Sequence, residues 1–181
     1  MQNSLINIEI MISDLKKIIK NIANYDFDFL LINNVSEEVK WKWFFKNVLP
    51  TQFYPLIDSL SKDRINLVLE ILAGYDESPL QLLSELTCHS NEEIRLCVAD
   101  NPNVSRLLLF LLACDESMDV RLTMASNQNL PVDILEKLSQ DENPYISNKA
   151  LNTSRKVEHK LITIPMPIVV NIRNFEKLVR N

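Results

Sequence analysis

The strongest constraint on this chain is that it repeats itself at an interval of 26 residues. Displaced by that interval, Leu83, Leu109 and Leu135 coincide, and so do Leu86, Leu112 and Leu138. Ile94, Val120 and Ile146 form a third register, followed by Arg95, Arg121 and Ser147. Ala99 matches Ala125, Asn101 matches Asn127, and His89 matches Asp115 and Asp141. Pro79, Ser105 and Pro131 share one position, where each opens an apolar run. One interval upstream, Val68, Ala73 and Tyr75 fall in the registers of Ile94, Ala99 and Asn101, so a degenerate earlier unit is expected. Units this short cannot bury their own apolar faces, and stacking against neighbours supplies the missing core.

Each unit reads as two short helices. Pro131 to Ser139 starts with a proline at a first helical position, where its missing N–H is not needed, and Val132, Ile134, Leu135 and Leu138 follow at helical spacing. Asp141, Glu142, Asn143 and Pro144 then supply a break and a new start. The second helix carries Ile146 and Ala150, parallel to Val120, Met124 and Ala125. A leucine-rich-repeat horseshoe has a similar period, and Leu96, Val98 and Asn101 fit the end of its strand motif. Its preceding leucine is replaced by Glu93 and Asp119, so the helical reading is preferred. A single glycine, Gly74, also speaks for helices joined by polar turns and against tight hairpins or a glycine-rich phosphate loop.

The run from Glu93 to Asn103 contains Ile94-Arg95, Ala99 and Asn101-Pro102, and Asp119 to Asn127 repeats it as Val120-Arg121, Ala125 and Asn127. This pattern resembles the leucine-rich repeat variant, a relative of HEAT repeats, over roughly residues 65–154. The resemblance implies an all-α fold, a short right-handed α-solenoid of two-helix repeats, and a binding role. On this reading residues 1–64 form an N-terminal helical cap, 65–154 the repeats, and 155–181 a C-terminal linker, an extended apolar strip and a short helix.

In the cap, Leu5, Ile8, Ile12, Leu15, Ile19 and Ile22 form an apolar seam in steps of three and four. It is expected to cover the first repeat, with a homodimer through this helix as the alternative. Residues 36–48 are another expected helix, with Trp41, Phe44, Phe45 and Val48 toward the core; Trp43, on the far side, is expected to be buried by a neighbouring helix, with an exposed interface anchor as the alternative. Asn34 with Glu37 fits a capping box. Near the other end, the run from Leu161 to Val170 is strongly apolar, and Pro165 and Pro167 forbid a continuous helix, so it is expected to be extended. It is expected to lie along the last repeat and seal it; the alternative is a recognition segment or self-association surface, with Ile164, Met166 and Ile168 as candidate partner contacts.

Arg95 and Arg121 recur in register, and their forks suit carboxylates or phosphates of a partner. The competing and preferred reading is a ladder with the aspartates and backbone carbonyls of adjacent turns. No nucleophile, base and orienter come together in the sequence, so a catalytic role is not expected. No cofactor or metal is expected either. Some proteins with this kind of repeat carry an iron–sulfur cluster on cysteines grouped ahead of the repeats, but residues 1–87 contain no cysteine. Cys88, Cys97 and Cys114 are read as small buried hydrophobes in a reducing, cytoplasmic setting.

The leading expectation is therefore a protein-binding scaffold or adaptor. A nucleic-acid-binding HEAT-like protein is the alternative, weakened by 24 acidic against 19 basic residues and a net charge of −5. An inhibitor or immunity-type protein blocking one enzyme is a special case of the first. The first apolar stretch is broken by Glu9 and Asp14, unlike a secretion signal, and no run of about 18 uncharged apolar residues calls for a membrane span. The abundance of Asn, Ile and Lys hints at an AT-rich bacterial genome.

Overall fold

The computed structural model describes residues 2–20 and 35–163. Among them it is entirely helical: α1 (Gln2–Ile19), α2 (Glu37–Val48), a 3-10 turn (Thr51–Phe53), α3 (Tyr54–Ser59), α4 (Lys62–Ala73), α5 (Leu80–Thr87), α6 (Glu92–Asp100), α7 (Arg106–Leu112), α8 (Met118–Ser126), α9 (Val132–Leu138) and α10 (Pro144–Thr163). None of the described helices is long and apolar enough to cross a membrane.

The helices are short because the turns between them are dense in stop and start signals. Asn91 and Ser117 cap α6 and α8 by accepting the N–H two residues on, at 3.0 and 3.2 Å. Ser105 caps α7 by accepting from the Leu108 N–H, at 3.3 Å. Pro79 and Pro131 stand just outside α5 and α9, with φ −67° and −56°, rather than at the first helical position. That extended cap conformation is the one a pyrrolidine ring prefers. For α2 the cap is Ser36, whose hydroxyl accepts from the Val39 N–H at 3.4 Å. Asn34 lies outside the described residues.

Helices of seven to nine residues, such as α5 to α9, would not persist alone in water. Their order comes from packing. The second helix of each unit meets the next: α4 lies on α6, α6 on α8, and α8 on α10. The first helices α5 and α7 also touch. Ile94, Val120 and Ile146 are fully buried, as are Leu83 and Leu135, so the three registers read from the sequence are the core. Val68 and Ala73, in the registers of the expected earlier unit, are buried on α4 as well. One continuous apolar core runs from Ile8 to Ala150.

The N-terminal seam is largely internal. Ile8, Leu15 and Ile19 are buried and Ile12 half-buried, joined by Met11, which lies off the seam. Ile22 lies outside the described residues. On α2, Trp41, Phe44 and Phe45 are buried and Val48 partly so, and the rings of Trp41 and Phe44 meet edge to face at 5.7 Å.

Two expectations need correction. Helix α10 runs 20 residues to Thr163, so Leu161 to Thr163 and the preceding Lys-rich stretch are helical rather than an extended strip and linker. The first residue that disfavours helix is the one before Pro165, and nothing from 155 to 163 is a glycine or proline. Second, Cys88 and Cys114 are exposed and Cys97 only half-buried. Cys88 and Cys114 stand where the first helix of a unit ends, the register that holds exposed Gln140 in the next unit.

Candidate interaction surface

The recurring arginines face inward. Arg95 is 6% exposed, and its fork grips Asp115 twenty residues on: Nε donates to Oδ2 at 2.8 Å and Nη2 to Oδ1 at 2.9 Å. Its Nη1 donates to the carbonyls of His89 at 2.8 Å and Ser90 at 3.3 Å. Arg121 repeats the arrangement one unit later, with Nε donating to Asp141 Oδ2 at 2.7 Å and Nη1 to the carbonyls of Asp115 and Glu116 at 2.7 and 3.2 Å. Each aspartate also accepts the N–H two residues on, from Ser117 at 2.8 Å and Asn143 at 2.9 Å. The aspartate shapes its own turn, and the arginine of the preceding unit locks that turn to its own. Hydrogen bonding to Asp115 raises the Arg95 pKa against the opposing effect of burial. Burial pushes the Asp141 carboxyl up, but the Arg121 hydrogen bonds, the Asn143 N–H and nearby positive charge outweigh it and hold it below the usual range.

A second set of ties joins the other ends of the units. Asn101 is buried, and its amide donates to the carbonyls of Ala73 at 2.6 Å and Tyr75 at 2.9 Å while its oxygen accepts the Asn103 N–H at 2.8 Å. Two intervals later Thr153 donates to the Ala125 carbonyl at 2.7 Å. Asn127, between them, donates to the Asp100 carboxylate at 3.3 Å. The sequence marks Asn101 and Asn127 as turn residues, and the structure adds their reach into the preceding unit.

The first rung of the arginine ladder is different. Leu69 stands where an arginine would be, and His89 where the aspartate would be. His89 Nδ1 accepts the Asn91 N–H at 3.0 Å, which places the proton of the neutral ring on Nε2. That Nε2 is buried without a hydrogen-bond partner. Across from it stands Glu37 of α2 at 3.9 Å, which accepts from the Ser90 hydroxyl, with the Trp41 ring at 6.3 Å. Burial pushes the His89 pKa down, and the charges of Lys62 and Arg95 act in the same direction against that of Glu37.

With both forks turned inward, the outward surface is set by other residues. Where α4 packs on α6, Glu70 of α4 and Glu93 and Asp100 of α6 lie near enough to half-buried Cys97 to act on it electrostatically. Burial and then the charge of Glu93 raise the Glu70 pKa, and burial and then the three carboxylates raise that of Cys97. Exposed Leu67 and half-buried Leu96 and Leu122 belong to α4, α6 and α8, and a shallow depression at the end of α6 and α8 is lined by Asp100, Leu122, Thr123, Ser126, Asn127 and Gln128. The result is an acidic surface with apolar patches.

Helix α7 presents a second surface. Leu107, Phe110 and Leu111 are 70%, 47% and 50% exposed. The same registers hold Gln81, Ser84 and Glu85 on α5, and Asp133, Glu136 and Lys137 on α9. Trp43 on α2 is half exposed rather than buried by a neighbouring helix, and Val39 one turn earlier is exposed as well. Ile164, Met166 and Ile168 lie outside the described residues. Among the described residues no three His, Cys, Asp or Glu side chains gather as metal ligands do. No protein-family model matches this chain, and neither a curated protein nor a solved structure does.

Proposed function

We propose that this chain is a protein-binding scaffold built as a short right-handed α-solenoid of HEAT-like units, which offers the α4–α6–α8 face to a basic, partly apolar segment of another protein. The observation that supports this reading is the packing of α4 on α6, which puts Glu70 of α4 beside a face of α6 that carries Glu93, half-buried Cys97 and Asp100 at helical spacing. Carboxylates held this close repel one another, and a cationic partner relieves that repulsion. A phosphate backbone would increase it, which favours a protein over a nucleic acid. The internal use of both recurring arginines supports a rigid frame, because each rung ties one unit to the next. Exposed Cys88 and Cys114 fit a reducing compartment such as the cytoplasm.

The test is affinity capture of the tagged chain from its native host, with and without nuclease, in parallel with the triple variant Glu70→Lys, Glu93→Lys, Asp100→Lys. The expected outcome is a stoichiometric protein that survives nuclease and is lost with the variant, whose circular dichroism is unchanged. Retention of that protein by the variant, or recovery of nucleic acid instead, overturns the reading.

A further inference from the structure

On the outer face of α7, Leu107, Phe110 and Leu111 are exposed at registers where α5 carries Gln81, Ser84 and Glu85 and α9 carries Asp133, Glu136 and Lys137. Packing within the chain does not need these side chains, since Leu108, Leu109 and Leu112 already fill the core side of α7. On one flank α7 touches α5, and on the other Arg106 reaches Asp133 of α9, Nη2 to Oδ2 at 2.7 Å.

We propose that this face pairs two copies of the chain about a two-fold axis perpendicular to α7, so that the two α7 helices lie antiparallel. Leu107, Phe110 and Leu111 of one copy then cover those of the other. An isologous contact needs a rim that complements itself after rotation, and α9 supplies one. Asp133 and Lys137 are one helical turn apart, and antiparallel pairing sets each opposite the other residue of the second copy. Asp133 can accept there, because Arg106 engages only its Oδ2. The edge formed by Arg106, Asp133, Glu136 and Lys137 carries two charges of each sign, which suits a second copy of itself. Parallel pairing would instead set the α9 edge of one copy against the α5 edge of the other, so Asp133 and Lys137 would not meet.

Seven helical residues span only about 10 Å. The face is therefore smaller than the roughly 800 Å² per partner of a stable interface, and the dimer is weak, with a dissociation constant on the order of 100 μM. The inference uses only the neighbour relations of α5, α7 and α9, so it stands or falls separately from the choice of outside partner.

Sedimentation equilibrium of the full chain over a wide concentration range tests it. The expected result is a mass that rises toward two copies, with association at least about tenfold weaker in Phe110→Glu at unchanged helicity, as for loss of a central aromatic anchor. Lys137→Glu and Asp133→Lys should each weaken association, and an equimolar mixture of the two variants should restore it, because opposite charges face each other again at both contacts. A chain that stays monomeric to about 1 mM, a dimer indifferent to Phe110→Glu, or a mixture that does not recover overturns the proposal.

Discussion

Two of the arginine–aspartate pairs, Arg95–Asp115 and Arg106–Asp133, share their chemistry and differ in their surroundings. The side chains of Arg95 and Asp115 are each 7% exposed, whereas those of Arg106 and Asp133 are 69% and 42% exposed. In water the second pair exchanges one set of hydrogen bonds for another at little net gain. In the first pair, removing the aspartate strands a buried guanidinium and releases the Ser117 N–H. Asp115→Ala should therefore destabilise the chain by about 3 kcal/mol, while Arg106→Ala should cost at most about 1 kcal/mol. Urea unfolding at neutral pH reads both, and equal costs would contradict the ladder. The aspartate register was legible in the sequence. So was the ladder itself, preferred there over a lined groove; the tertiary structure adds which nitrogens of each fork meet the aspartate and which the carbonyls of the preceding turn.

At the scale of the helix, the cap position at 79, 105 and 131 shows how a repeat tolerates different residues for one geometry. Pro79, Ser105 and Pro131 have φ of −67°, −71° and −56° and ψ of 146°, 153° and 142°. Ser105 stabilises α7 through its hydroxyl, while a proline would do so by restricting the unfolded chain. Ser105→Ala should cost about 1 kcal/mol. Ser105→Pro loses the same cap but recovers roughly 0.4–1 kcal/mol through backbone restriction, and should lie close to the native chain. Thermal melts of the two variants decide it, and a proline variant less stable than the alanine variant would show that the three caps are not equivalent. Local signals placed these caps to within a residue. They did not place the end of α10, since a sequence states only where a helix must stop, here before Pro165.

At the scale of the whole molecule, the N-terminal helices and the repeats meet at His89, opposite Glu37 fifty-two positions earlier in the chain. Burial holds the folded His89 pKa below its ordinary value, so the unfolded chain binds a proton that the folded chain resists. The contribution of this group is therefore complete above the ordinary histidine pKa of about 6.5 and declines as pH falls below it, until the depressed folded value is passed. Glu37 is held low as well: burial pushes it up, but the Ser90 hydrogen bonds and nearby positive charge outweigh that, so its own contribution is lost only at more acidic pH. The melting temperature should fall between about pH 7.5 and about pH 5.5, and His89→Asn, which keeps an acceptor for the Asn91 N–H, should flatten that slope. A slope unchanged by the substitution would assign the loss of stability to other groups.

What the sequence determined by itself is the set of helix pairs, their core registers and the chemistry of their turns, because a 26-residue interval and a 3.6-residue period fix which side chains recur together. What only the tertiary structure decided is which remaining surface stays open. Helix α7 is leucine or phenylalanine at every position after Arg106, so it has no periodicity from which an outer face can be read. Cys88 and Cys114 likewise look like core residues by type, yet they emerge at a helix end where no neighbour covers them. Burial depends on what arrives from the adjacent unit, and that information lies in the packing of helices rather than in the residues of any one of them.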